Sequence, residues 1–168
     1  MGHIIQGFIG NATTLDSIIS PLDLTTFRIV ELQQEFYLLF LSDNIYDAIH
    51  KVSIVDNNYG IEPFDFFNLS VKEYIESVCF DECLVYIETE YFGGKGTQCS
   101  GVIKKGKLME VYRSSTDDIN IDAPSPERLF EQPINKALRQ LGVIRNIELD
   151  EFDTLGLGNY RHMPYNDI

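Results

Sequence analysis

The chain has 168 residues, of which 44% are apolar and 23% are charged, a balance that fits one globular domain and argues against a wholly disordered chain. Its 26 acidic residues outnumber its 13 basic ones, and residues 1–100 alone carry a net charge of −11. Such a field repels nucleic-acid phosphates and attracts cations, so it argues against direct nucleic-acid binding and favours a basic protein partner. An acidic surface that only maintains solubility is the alternative.

Cysteine usage and hydropathy indicate the compartment. The three cysteines, Cys79, Cys83 and Cys99, leave one thiol unpaired under any pairing, which argues against a secreted disulfide framework. The N-terminal segment lacks the basic residues and the apolar stretch of a leader, and no apolar run is long enough to cross a membrane. The sequence therefore predicts a cytoplasmic protein without a membrane span.

The first elements in chain order are strands around one short helix. Residues 3–10 are β-branched and bounded by glycine, which predicts a strand. Thr14 is a candidate cap for a helix that ends near Ile19, before a proline. Residues 25–33 alternate as in a half-buried strand, and residues 35–41 form the continuous apolar run that is typical of a strand covered on both faces.

Two helices are predicted next, on either side of a loop. Ser42 precedes a helical apolar stripe that continues to Val52. Residues 55–68 contain turn-forming residues and an apolar PFDFF run that could pack on the core. Ser70 and Glu73 have the spacing of a capping box, which predicts the start of the second helix.

A three-stranded antiparallel meander is predicted over residues 83–113, with strands at 83–92, 98–104 and 108–113. The loop 114–126 is polar and acidic, and Ser125 with Pro126 suits a helix start.

A last helix is predicted after that loop. Pro133 is expected to interrupt it, and Gly142 to end it. The order of elements predicts one α+β domain over residues 1–168, with a mostly antiparallel mixed sheet and three to four helices packed on it.

The motifs predict neither catalytic residues nor a metal or cofactor site. The YFGGKGTQ segment is rich in glycine but leads into a strand, whereas a phosphate-binding loop leads into a helix, so a tight turn is favoured. The three histidines, His3, His50 and His162, have neither a nucleophile nor metal ligands at a recognisable spacing.

Acidic residues are the best candidates for contact with a partner. Glu88 and Glu90 alternate on one predicted strand face, so they could present carboxylates to lysine or arginine side chains. A solvated acidic face without a partner is the alternative. The residues predicted to bind the partner are Asp81, Glu82, Glu88, Glu90, Tyr91, Asp117, Asp118 and Asp122.

Two segments resemble a small bacterial family. They are EYFGGKGTQCSGVI and EFDTLGLGNYRH, and they match (D/E)YFGGxGxQ and EFDxLGLGxxRH patterns. In size and acidity that family resembles the immunity proteins of polymorphic-toxin and contact-dependent inhibition systems. The resemblance implies a protein that binds and neutralises a cognate toxin, a nuclease being the expected kind, and it supplies no catalytic residues.

Two other functions remain open from the sequence. A small hydrolase-like enzyme would use His162 and Arg161 with an acid such as Glu90 or Asp153, and would gather them in one pocket with shifted pKa values. A subunit of a larger assembly would instead expose a large apolar patch.

Overall fold

The computed structural model describes residues 3–54, 59–80, 82–92, 95–115 and 131–164. Within these ranges the chain forms a six-stranded sheet in which each neighbouring pair of strands is antiparallel. The strands are β1 (His3–Gly10), β2 (Ile29–Glu31), β3 (Tyr37–Phe40), β4 (Cys83–Phe92), β5 (Lys95–Lys104) and β6 (Lys107–Ser115), and their order across the sheet is β2-β3-β1-β4-β5-β6.

The helices in the described ranges are α1 (Ala12–Ile19), α2 (Asp43–Val52), α3 (Leu69–Val78), α4 (Pro133–Leu141) and the single turn α5 (Glu151–Thr154), followed by a 3-10 turn at Leu157–Asn159. The prediction of a single α+β domain is confirmed, as are the antiparallel sheet and the meander. None of these helices has the length and apolar character needed to span a membrane.

Helices cover the sheet on both faces. On the first face, α1, α2 and α3 pack with Phe8, Leu39, Leu84 and Tyr86 of the strands. On the second face, α4 and the segment after it cover a separate apolar cluster that includes Val85. Because β1, β3 and β4 are buried on both sides, their sequences are nearly continuous apolar runs instead of alternating patterns.

Several predicted boundaries are wrong by a few residues. Asn11, and not Thr14, caps α1, because its side-chain oxygen accepts from the Thr14 N–H at 2.8 Å. The strand predicted at 25–33 is reduced to the three residues of β2. Pro133 is the first residue of α4, since proline fits the first turn, where its missing N–H has no partner to lose. The helix start predicted at Ser125 and Pro126 lies outside the described residues.

The start of α3 is set by Asn68, two residues before the predicted cap Ser70. The Asn68 side-chain oxygen accepts from the Val71 N–H at 3.0 Å. Its amide nitrogen lies 2.6 Å from the Tyr46 hydroxyl and 3.0 Å from His50 Nε2. Since Asn68 is 2% exposed, these contacts join α3 to α2 inside the protein.

The turn between β2 and β3 carries non-glycine residues in left-handed backbone. Gln34 and Glu35 have φ of 59° and 60°. The Gln34 side chain then contacts residue Ile144, donating to its carbonyl at 2.7 Å and accepting from its N–H at 3.0 Å. These two hydrogen bonds connect the hairpin to the segment that follows α4.

The C-terminal segment lies along the free part of β1. The register of β3 with β1 begins at Gly7, and the Leu41 N–H donates to the Gln6 carbonyl at 3.0 Å, so the outer side of residues 4–5 and the Gln6 N–H remain available to another segment. The Ile4 N–H donates to the Arg161 carbonyl at 2.8 Å, and the Gln6 N–H donates to Met163 Sδ at 3.3 Å. The described ends of the chain are therefore in contact.

Replacing Asn68 with alanine is expected to lower the free energy of unfolding by about 2 kcal/mol, because a buried cap and its amide contacts are lost together. Glu73→Ala, which removes the other member of the predicted capping box, is expected to change it by less than about 0.5 kcal/mol. Urea denaturation of both variants measures the difference, and a larger loss for Glu73→Ala would contradict the assignment of Asn68 as the cap.

Candidate functional site

An acidic cleft opens on the first face of the sheet, at the end that holds the start of β1 and the end of β4. Its volume is about 180 Å³. The strands provide its floor, and residues 62–67, here called the cleft loop, provide one wall. Its acidic lining residues are Glu62, Asp65, Glu88 and Glu90, and Arg113 is the cationic residue at the cleft.

Strand register explains why distant residues meet in the cleft. Gln6 of β1 lies beside Glu88 of β4, which lies beside Cys99 of β5, and Cys99 lies beside Arg113 of β6. Glu90 lies two residues after Glu88 on the same face of β4. Since side chains alternate across a strand, these residues all point toward the first face.

Glu88 is buried, which corrects the expectation that it and Glu90 form one solvent-facing row of carboxylates, whether presented to a partner or only solvated. It is 8% exposed, and the cleft loop covers it. Its Oε2 accepts from the Asp65 N–H at 2.8 Å, and its Oε1 accepts from the Phe66 N–H at 2.8 Å and the Phe67 N–H at 3.0 Å. The Tyr86 hydroxyl donates to the same Oε1 at 2.7 Å. A buried carboxylate with four donors is satisfied within the fold.

Aromatic packing supports the same loop from below. The ring of Phe67 lies 4.7 Å from that of Tyr86, and the ring of Phe64 lies 5.5 Å from each of them. Burial, and then the neighbouring Glu88 carboxylate, raise the pKa of Tyr86 far above its ordinary value, so its hydroxyl stays a donor. The cleft loop is thus held by apolar contacts and by hydrogen bonds to one side chain.

The other three carboxylates face solvent. Glu62, Asp65 and Glu90 are exposed, and within the described ranges their side chains form neither a hydrogen bond nor an ion pair. Arg113 is exposed beside them and likewise forms no ion pair there. The cleft therefore combines an excess of negative charge with acceptor oxygens that are open to a cation from outside.

The cleft also has apolar walls. Ile4 and Phe66 line it and keep 46% and 44% of their surface exposed. An aromatic ring and an aliphatic side chain beside carboxylates suit the long side chains of lysine and arginine, whose stems are apolar and whose ends are charged.

The described residues of the cleft give little support for catalysis by a nucleophile or by a bound metal ion. Burial raises the pKa of the Cys99 thiol to about 11, and its sulfur lies 3.4 Å from the Pro63 carbonyl oxygen. A neutral buried thiol is a poor nucleophile. The described residues include no group of three or more side chains placed to hold a metal ion.

The other predicted partner-binding residues do not join the cleft. Glu82 lies at the opposite end of β4, where its carboxylate accepts from the Asn11 amide and the Thr14 hydroxyl. Tyr91 follows Glu90 on β4, so its ring points to the second face, where it packs 5.0 Å from His3. The residues that lie outside the described ranges are Asp81, Asp117, Asp118 and Asp122.

Of the residues of the alternative hydrolase, Arg161, His162 and Asp153 do not line the acidic cleft, so they are separated from Glu90. Glu90 faces the acidic cleft, while Arg161 donates from Nε to the Gly158 carbonyl at 3.0 Å. His162 is exposed. Burial and the nearby Asp150 raise the pKa of Asp153, whereas Arg161 lowers it.

Sequence reasoning missed two of the four carboxylates of the cleft, Glu62 and Asp65. Asp65 belongs to the PFDFF run, which was expected to pack on the core, and Glu62 comes directly before it. The spacing of Phe64 and Phe67 in the sequence could have indicated this arrangement. Both rings are buried, with 5% and 1% of their surface exposed. Burying those two rings leaves the acidic residues between and before them on the outside.

Comparisons of the chain with protein-family models, with curated proteins and with solved structures find no significant match. The family suggested by the two sequence motifs therefore remains a prediction, and the assignment of function depends on the cleft itself.

Lowering the pH is expected to destabilise the fold through His3. Burial, followed by Arg161, lowers the pKa of His3 from its ordinary 6.5. Below about pH 6.5 the unfolded chain takes up a proton that the folded protein resists, so stability is full above this pH and falls as the pH decreases. A His3→Gln variant is expected to lose less stability between pH 7.5 and 5.5. An NMR titration midpoint for His3 at or above 6.5 would contradict this.

Proposed function

We propose that this protein binds a basic protein partner through the acidic cleft and that the partner is a bacterial toxin, which it neutralises. The observation that carries the proposal is the group of three exposed carboxylates, Glu62, Asp65 and Glu90, open to solvent around a cleft whose shape is fixed by the fold. A basic partner can place a lysine or arginine side chain among them.

Electrostatics supports the same kind of partner. The −11 charge of residues 1–100 would attract a basic protein over distance and speed its association. A nuclease grips phosphates with cationic side chains, so carboxylates at this cleft can occupy the groups that it uses on its substrate. The two motifs resemble a small bacterial family whose size and acidity resemble those of immunity proteins, and this favours a toxin over other basic proteins.

Removing the cleft charges is expected to slow association. The triple variant Glu62→Gln, Asp65→Asn and Glu90→Gln should bind a fluorescent nona-arginine peptide with an association rate about tenfold lower at low salt. Raising the salt concentration should shrink the difference from the wild type, because it screens exposed charges. Stopped-flow fluorescence measures both rates.

The matched control variant has the same net charge as the cleft triple variant but leaves the residues of the cleft unchanged. Asp16→Asn, Asp23→Asn and Glu148→Gln are changes at exposed positions that do not line the cleft. This control should keep more than half of the wild-type association rate. Equal losses in the two triple variants would mean that net charge, and not the cleft, attracts the peptide, and the proposal would fail.

The biological partner is testable by co-expression. The protein encoded immediately upstream is the candidate toxin, and its expression alone should stop bacterial growth. Co-expression of the wild type or of the control triple variant should restore growth and give a complex on gel filtration, while the cleft triple variant should do neither. Growth arrest that the wild type does not relieve, with no complex formed, would refute the toxin assignment.

A further inference from the structure

We propose that Glu88 is a positioning residue for partner binding: its buried carboxylate holds the cleft loop so that Asp65 and Phe66 face the partner. The inference rests on the proposed function of the cleft and assigns to Glu88 a role different from that of the exposed carboxylates. Glu88 sets where the loop lies, whereas Glu62, Asp65 and Glu90 meet the partner's cation.

The hydrogen bonds of Glu88 hold the loop at three consecutive residues. Three successive backbone N–H groups, those of Asp65, Phe66 and Phe67, point at one carboxylate. None of these three donors is used by a helix or strand ladder, so Glu88 is what satisfies them inside the protein. Two of the three belong to residues that line the cleft.

Because Glu88 is buried, its role differs from direct contact with the partner. Glu88 is 8% exposed, and its Oε1 already receives three of the four donors. A partner cation that bound Glu88 directly would have to displace the loop that forms the cleft wall. Glu90, on the same face of the same strand, carries the same charge in an exposed position.

The two oxygens of Glu88 have different donors, and this difference indicates which loop residue depends most on the negative charge of Glu88. In Glu88→Gln, the remaining oxygen can keep the three donors of Oε1, while the new NH2 group takes the place of Oε2 and faces the Asp65 N–H, donor against donor. The Asp65 amide then loses its acceptor, and the part of the loop that carries a cleft carboxylate is released.

The experiment compares Glu88→Gln with Glu90→Gln, which removes an equal charge from the same face of β4. Hydrogen exchange followed by NMR should show the Asp65 amide exchanging at least tenfold faster in Glu88→Gln and unchanged in Glu90→Gln. Binding to the nona-arginine peptide should be weakened in both. The loss should lie in a faster dissociation rate for Glu88→Gln and in a slower association rate for Glu90→Gln.

Two further variants keep the test decisive. Tyr86→Phe removes a donor to Glu88 but keeps the ring that packs against Phe64 and Phe67, so it should leave peptide binding unchanged even if the protein melts at a lower temperature. If Glu88→Gln does not fold, Glu88→Asp keeps the charge but withdraws it from the loop, and it should also raise the dissociation rate.

The outcomes distinguish this inference from the proposed function. If Glu88→Gln and Glu90→Gln slow association equally, with no change in exchange at Asp65, Glu88 acts through charge alone and the inference is wrong while the cleft proposal stands. If the wild type and the cleft triple variant bind the peptide equally, the cleft proposal fails and the inference fails with it.

Discussion

One buried carboxylate organises the acidic end of this molecule. Glu88 draws the backbone of residues 65–67 onto the sheet, and the apolar contacts of Phe64 and Phe67 with Tyr86 hold the same segment from beneath. Neither part suffices alone, because a buried charge needs its donors and a loop with unpaired N–H groups cannot be packed against a core. Glu62 and Asp65 therefore lie on a loop whose position the fold itself holds.

The same strand provides two carboxylates with opposite environments. Glu88 and Glu90 share a face of β4, but the loop ends above the first and leaves the second in solvent. A count of charged residues along the sequence gives Glu88 and Glu90 equal weight. In the fold, Glu88 accepts hydrogen bonds inside the protein, whereas Glu90 contributes to the electrostatic field outside it. The net charge therefore overstates how many carboxylates are accessible from solvent.

Local patterns predicted most of the sheet, whereas contacts between distant residues determined the cleft. The strands at His3–Gly10 and Cys83–Phe92 match their predicted bounds, because apolar β-branched runs bounded by glycine or turn residues carry that information locally. The cap of α3 was misplaced because Asn68 and Ser70 both have side chains suited to the role. The burial of Glu88 depends on residues 21 to 23 positions earlier in the chain, which a period of two cannot reveal.

The contact between the described ends of the chain has a consequence for the order of folding. β1 lies in the middle of the sheet, and part of its outer side is completed by Arg161 and Met163, more than 150 residues later. β1 is synthesised before each segment that borders it, and its hydrogen bonding is complete only once residues 161–163 are present. Of the described strands, the earliest in the chain is thus among the last to gain all of its neighbours.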